Sequence, residues 1–474
     1  MPATPEAENA KANSTNEQAI NGPTSLRPLY LRSVIASFGN GVMAPYTTVY
    51  AVQLGASPSE MGWFRSLTNL SASVMQVPWG NVSDKLGSRV PFIVLGSILS
   101  SLLWLPMIYV RTSGELVALA VAQAFISSMV APAWSALIGD MVPHSGRGSV
   151  TATINAAASF GSILATLMSG YVMTIVGGTL SQMYMIPLIL AAVFGFTASF
   201  TMLTLREKRE ARPRQWGSWR SLLRGNPNFR TFCLISVAHS FFMAMAWPIF
   251  PITVVKVIKA DTMQIAYLSV IQGSVSLIVR RFVGRLVDRA GRKPLIVFGR
   301  AGIVLVPVIY AIATSVYYLY VVDLFIGIVI AAVEIAVFAY LLDIIPEEQR
   351  AGSFALFNTF NGMSTFLGSL VGGYLADMAA SIGFAELASL QLVYAISAVG
   401  RLGGGLLYAK IKEPYKYPST MREELAKIMH EDAERARKGL QRIEERGETA
   451  EEDLEKDFEW FENILRWKDE KERR

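Results

Sequence analysis

Stretches of about twenty mostly apolar residues, each long enough to cross the hydrocarbon of a bilayer, recur twelve times in this chain at intervals of roughly 30 residues. Lipid offers no partner to a bare backbone amide, so a chain of this pattern must satisfy its amides within helices. The predicted spans cover Leu29 to Val52, Glu60 to Gly80, Val90 to Val110, Leu116 to Met141, Ser149 to Val176 and Met183 to Leu205. After a polar break they resume over Phe229 to Val255, Met263 to Val279, Pro294 to Thr314, Tyr317 to Asp343, Ala351 to Ala380 and Phe384 to Ile411. The expected fold is all-α and polytopic, with residues 26–205 and 229–411 each forming a six-helix bundle.

Charge is distributed to match. Of 80 charged side chains, 34 lie in the last 63 residues, which leaves an apolar body and excludes a disordered chain or a fibre. Nucleic acid is excluded as a partner despite the basic balance, because the basic residues fall in short clusters between apolar runs, where they meet anionic membrane lipids. Cys233 is the single cysteine, and His144, His239 and His430 are scattered, so neither a disulfide framework nor a metal site is expected. With no phosphate-binding glycine loop or nucleophile constellation standing out, neither a cofactor nor an enzymatic activity is predicted.

Eighteen Lys and Arg residues lie in the loops on the N-terminal side of the membrane, against Arg111, Lys256 and Lys259 in the opposite loops. That bias predicts a multi-pass protein of the cell membrane with both termini cytoplasmic. Residues 1–25 lack the basic and apolar regions of a signal peptide and read as a disordered tail. Residues 206–228 form a cytoplasmic linker in which Trp216, Trp219, Leu222 and Leu223 alternate with Arg214, Arg220 and Arg224; an interfacial amphipathic helix and a plain basic linker both fit. Residues 412–474 read as a charged helical tail, with capping boxes at Thr420/Glu423 and Thr449/Glu452 and a break at Gly447. Its apolar positions suit either an αα-hairpin that binds a partner or a solvated tail.

An internal repeat at an offset of about 203 residues relates the halves. Gly80 and Asp84 correspond to Gly284 and Asp288, and Asp140, Arg147 and Asn155 to Asp343, Arg350 and Asn358. An even number of spans separates the copies, so the bundles have the same orientation. The segments Gly80-Asn-Val-Ser-Asp84-Lys85-Leu-Gly87-Ser-Arg89 and Gly284-Arg-Leu-Val-Asp288-Arg289-Ala-Gly291-Arg292-Lys293 resemble the signature loop of the major facilitator superfamily, the first with Ser88 where a basic residue is usual. The resemblance covers residues 29 to 411 and implies a transporter of twelve spans in two pseudo-symmetric bundles. It also implies that Asp84 sits near the start of span eleven and Asp288 near that of span five, latching the cytoplasmic side. Arg89 is the expected partner of Asp140, and Arg292 and Lys293 of Asp343.

Polar residues within spans are costly unless they face the interior or a wet cavity. Asn155, Ser159, Ser162 and Thr166 share a face of span five, and Asn358, Gly362, Thr365 and Ser369 the same face of span eleven. Arg65, Asn69 and Gln76 share one on span two, while Gln123 and Trp134 stand about three turns apart on span four. Arg65, Asn69, Gln76, Gln123, Trp134, Asn155 and Asn358 are therefore the candidates for binding a small-molecule substrate; small-residue helix packing is the competing reading for the Ser, Thr and Gly positions. For coupling to protons the candidates are Glu334, His239 and Asp323, with a structural pair of Glu334 with Arg401 or His239 as the alternative. Arg401 and Gln391 in span twelve read as structural.

Two family patterns are broken. The span-four arginine of many proton-linked members is absent, those positions reading Ala120, Gln123 and Ala124, and span five lacks the glycine-proline motif of drug antiporters. The expected function is secondary transport of a small solute by alternating access, with proton-independent facilitation, or a receptor signalling through the tail, as the alternatives.

Overall fold

The computed structural model describes residues 27–142, 147–203, 205, 219–415, 420–435, 437–438 and 441. Helices occupy all twelve predicted intervals. The first half contains α1 (Arg27–Met43), α2 (Thr47–Gln53), α3 (Pro58–Val74), α4 (Gln76–Leu86), α5 (Val90–Leu102), α6 (Ser113–Ser127), α7 (Val130–Met141), α8 (Arg147–Val176) and α9 (Leu180–Leu203). A short α10 (Trp219–Gly225) leads to α11 (Pro227–Met245), α12 (Thr262–Ala290), α13 (Lys293–Gly302), α14 (Leu305–Ile312), α15 (Val316–Ile344), α16 (Arg350–Ser381) and α17 (Glu386–Leu407).

Among the described residues, nine helical segments are long and apolar enough to cross a membrane. Seven of them bury 39% or less of their most apolar window, so the rest of that surface suits lipid rather than water. The first, second and eleventh intervals are the exceptions, and their polarity has a use: Ser59, Trp63 and Ser66 of α3 donate to Asp377, Tyr374 and the Phe366 carbonyl of α16, joining the halves. Between them Gly62 and Gly373 allow backbones to touch, since a Cβ on Gly62 would lie 3.0 Å from the Ser369 carbonyl oxygen.

The repeat extends to a feature the landmarks did not include. Pro45 interrupts the first interval and Pro248 the seventh, at the same offset. The amides freed at each break bond locally, Tyr46 to Met43 and Trp247 to Ala244, as an apolar surrounding requires.

Several predicted boundaries are corrected. Apolar character ends at Val279, but α12 continues to Ala290, because a helix leaving the membrane needs no apolar side chains. Gly80, Asp84 and Lys85 likewise lie in α4 and Gly284, Asp288 and Arg289 in α12, not in loops. The turn-forming glycines are Gly87 and Gly291, at φ 62° and 93°, a region open to residues without a Cβ. Of the linker, residues 219–228 are described and form α10 and the start of α11; the N-terminal segment and Trp216 lie outside the described residues.

By internal contact the chain divides into residues 1–283 with 292–414, and residues 284–291 with 415–474. In the second body a tail helix, α18 (421–435), begins at the predicted capping box: Glu423 N donates to Thr420 Oγ1 at 3.4 Å and Thr420 N to Glu423 Oε2 at 3.3 Å. Thr449, Glu452 and Gly447 lie outside the described residues.

Candidate functional site: a cavity lined by both halves

Where α1, α8, α12 and α15 converge lies a cavity of about 490 Å³. Its polar lining comes from two helices of different halves: Ser159, Ser162 and Thr166 on α8, and Ser269, Gln272, Ser276 and Arg280 on α12. Spacings of three and four residues bring each set onto one helix face. Ala44 and Pro45 from the break after α1, with Ile330 of α15, add apolar wall.

Arg280 donates to Glu334 at 2.6 Å, and both side chains are about half exposed. Glu334 stands one turn beyond Ile330 on α15, so the pair sits at the cavity's rim. This corrects the expected partners of Glu334. Arg401 is buried and donates instead to the carbonyls of Ile303 and Met243, and His239 is fully buried against Gly404 and 5.8 Å from the Tyr408 ring. Asp323 is also buried, within the second half.

The other predicted ligands separate into groups. Asn155 and Asn358, equivalent by the repeat, are both exposed. Arg65 Nε and Asn69 Nδ2 are buried polar atoms without a hydrogen-bond partner, so that face of α3 retains unused donors. Gln76 donates to the Ala72 carbonyl of the preceding turn, and Gln123 to the Ser100 carbonyl of α5 at 3.0 Å. Trp134 lies under the guanidinium of Arg32, 4.3 Å from its ring centroid. Gln123 and Trp134 thus spend their polar and aromatic surface inside the first half rather than on the cavity.

The signature segments form ion pairs within each half. Arg89 lies 2.6 Å from Asp84 and 3.7 Å from Asp140, and Arg292 lies 2.9 Å from Asp343. The expected Arg89–Asp140 and Arg292–Asp343 pairings are present. Lys293, the other expected partner of Asp343, donates its backbone amide to Glu413, and Arg350 lies 3.7 Å from Glu347. Asp84, however, pairs with Arg89 of its own half instead of reaching across to α16. The side chain of Arg147 lies outside the described residues.

At the opposite end the halves meet. Tyr46 Oη lies 3.0 Å from the Thr166 carbonyl oxygen and 3.4 Å from that of Thr262, and the hydroxyls of Thr174 and Thr262 are 3.0 Å apart.

The sequence model of the Major Facilitator Superfamily matches residues 29–243 and again 232–446. The chain belongs to the major facilitator superfamily. An uncharacterized MFS-type transporter of Methanocaldococcus jannaschii is 22% identical over 384 residues, 78% of this chain and 94% of that protein. The tetracycline resistance protein, class H, of Pasteurella multocida is 25% identical over 34% of this chain and 40% of its own length. Among solved structures, the nucleoside transporter NupG aligns with a TM-score of 0.65 at 15% identity, covering 81% of this chain and 99% of its own. The D-xylose–proton symporter aligns with a TM-score of 0.62 at 16% identity, covering 82% and 98%. The two family matches fall on the two halves that the sequence repeat relates, and the cavity is lined from both. This member of the superfamily is a transporter with several membrane-spanning helices.

Sequence reasoning missed Arg280, Gln272, Ser276 and Ser269. Their spacing repeats the pattern of Ser159, Ser162 and Thr166 and was available as a signal. Arg280 lay hidden because it falls just past the apolar run and reads as a loop charge. Arg32, inside the first apolar run, was visible and unused.

Proposed function

We propose that this protein moves a small polar solute across the cell membrane by alternating access around the cavity between α8 and α12, and that protonation of Glu334 couples the movement. The observation that carries this reading is the Arg280–Glu334 pair at the rim of a cavity walled by both halves. A carboxylate held by a guanidinium changes partner strength when it takes up a proton, which releases Arg280 for an incoming solute. Hydroxyls and the Gln272 amide supply donors and acceptors suited to a hydroxylated or amide-bearing solute. With the halves joined at the Tyr46 and Thr262 end and Asp84 paired inside its own half, the arrangement corresponds to a state open toward the signature segments, on the side assigned to the cytoplasm. In this state the expected latch between Asp84 and α16 is released, which suits the open side of the cycle.

Proteoliposome uptake tests the proposal. A solute panel that begins with nucleosides and pentoses, the classes named for the structural relatives, is assayed with and without a pH gradient. The expected result is gradient-stimulated uptake of one class in the wild type and loss of that stimulation in Glu334→Gln, with solute exchange retained. Full gradient-driven uptake by Glu334→Gln would remove Glu334 from the coupling step. Uptake indifferent to the gradient in the wild type would favour facilitated diffusion.

A further inference from the structure

We propose that the tail helix α18 is a salt-sensitive clamp on the last turns of α12, and that its docking favours the open state proposed above. Arg289 forms a fork on Glu431 at 2.7 and 3.3 Å, with Glu424 at 3.9 Å, and Arg285 donates to Asp432. Arginine forks on carboxylates fix geometry as well as charge. Arg285 and Arg289 are one turn apart and share a face of α12; Glu424, Glu431 and Asp432 share a stripe of α18 with Ile428, which is fully buried. Two guanidinium groups therefore meet three carboxylates around an apolar anchor.

The repeat shows that this face is not a general feature of the signature segment. Where the second copy has Arg285 and Arg289 the first has Asn81 and Lys85, and Lys85 is exposed. The arginines stand in the copy that the tail engages. Their helix is the one that carries Gln272, Ser276 and Arg280 on the cavity wall. Arg285 is five residues beyond Arg280, about 7.5 Å along a stiff rod, so a restraint on the last turns reaches the wall through the helix itself. The effect on cavity access and on turnover rests on the alternating-access reading above; the contact itself does not.

The test uses the full chain in lipid nanodiscs with Cys233→Ser and Ser276→Cys, and reads two quantities that need no substrate. One is amide hydrogen exchange over 421–435, and the other is the rate at which a water-soluble maleimide labels the introduced thiol. In a release variant, Glu431→Arg with Asp432→Arg, exchange should rise by about tenfold and labelling should slow on the order of threefold as the open state loses support. Adding Arg285→Glu and Arg289→Glu reverses both signs of charge and should restore both readings. About 0.5 M salt, where screening acts over roughly 4 Å, should act on the wild type as the release variant does. Deletion of residues 418–474 should slow labelling to the same extent. Unchanged exchange in the release variant, labelling that is unchanged or faster in the release or deletion variant, failure of the charge swap to restore, or insensitivity to salt would each overturn the clamp. A failed Glu334→Gln experiment leaves all of these readings intact.

Discussion

Single charged residues decide what this membrane protein can do, because each must be paired, wet or expelled. Arg292 and Asp343 are 14% and 17% exposed and 2.9 Å apart, which makes them a largely desolvated pair. Removing one partner strands the other, so Arg292→Met should lower stability by about 3 kcal/mol, read as a fall in the unfolding midpoint in detergent. The double variant with Asp343→Leu should recover most of that loss, since no unpaired charge remains; a double variant no more stable than the single would show that the pair itself is not the source. Residue-scale chemistry was partly legible beforehand. The Arg89–Asp140 and Arg292–Asp343 pairs follow from the repeat, and Glu334 stood out as an acid inside an apolar run. Its partner did not, because apolarity stops at Val279 while the helix does not, and Arg280 therefore read as part of a loop. Gln123 and Trp134 have the right residue types but point to neighbours, Ser100 and Arg32, that one-dimensional spacing on a single helix does not reveal.

At the scale of elements, two contacts show how helices in this chain are held by opposite means. Between α16 and α11 the means is the absence of a side chain: a Cβ on Gly372 would overlap the Met245 carbonyl. Gly372→Leu should force the helices apart and sharply reduce folded yield, whereas Gly403→Leu, where a Cβ would meet nothing within 4 Å, should leave it near wild type; fluorescence-detected size-exclusion profiles compare the two. In the tail, charge holds α18. The hydrogen bond and charge of Arg289 hold the Glu431 carboxyl below its ordinary value. A group lowered in the docked state supports docking above its ordinary pKa of about 4.3 and loses that support as pH falls through the docked value. The separation of spin labels placed on 284–291 and 421–435 should accordingly be constant from about pH 7 to 5 and lengthen below about pH 4. A separation constant down to the lowest pH would deny Glu431 its part. The capping box at Thr420 made the start of this helix readable from sequence, because the cap is a local pattern; its docking face was not, because it depends on arginines more than a hundred residues away.

For the whole molecule, the repeat makes the two ends of the structure chemically different in use although they are built alike. At the signature ends Arg89 pairs with Asp84 and Asp140, and Arg292 with Asp343, each within one half. At the other end hydroxyls and carbonyls cross from half to half, Tyr46 donating to the Thr262 carbonyl and the Thr174 and Thr262 hydroxyls pairing with each other. These bonds are mostly neutral, so rocking between states breaks interactions worth about 1 kcal/mol each, with more for the Ser59 amide on the Asp377 carboxylate, whereas ion-pair crossings in a dry interface would make the state hard to leave. If that end is the closed gate, tying it shut should stop the cycle without closing the cavity. Hydroxyls 3.0 Å apart make Thr174 and Thr262 the pair across this end to replace with cysteines. In a Cys233→Ser background, oxidation of Thr174→Cys with Thr262→Cys should abolish solute uptake, and reduction should restore it. Once the tie is oxidised and its sulfurs no longer react, a thiol introduced by Ser276→Cys should be labelled by a water-soluble maleimide to the same extent as in a protein carrying only Cys233→Ser and Ser276→Cys. Normal uptake by the oxidised protein would mean that this end need not open, and loss of labelling would place the cavity's entrance on the tied side.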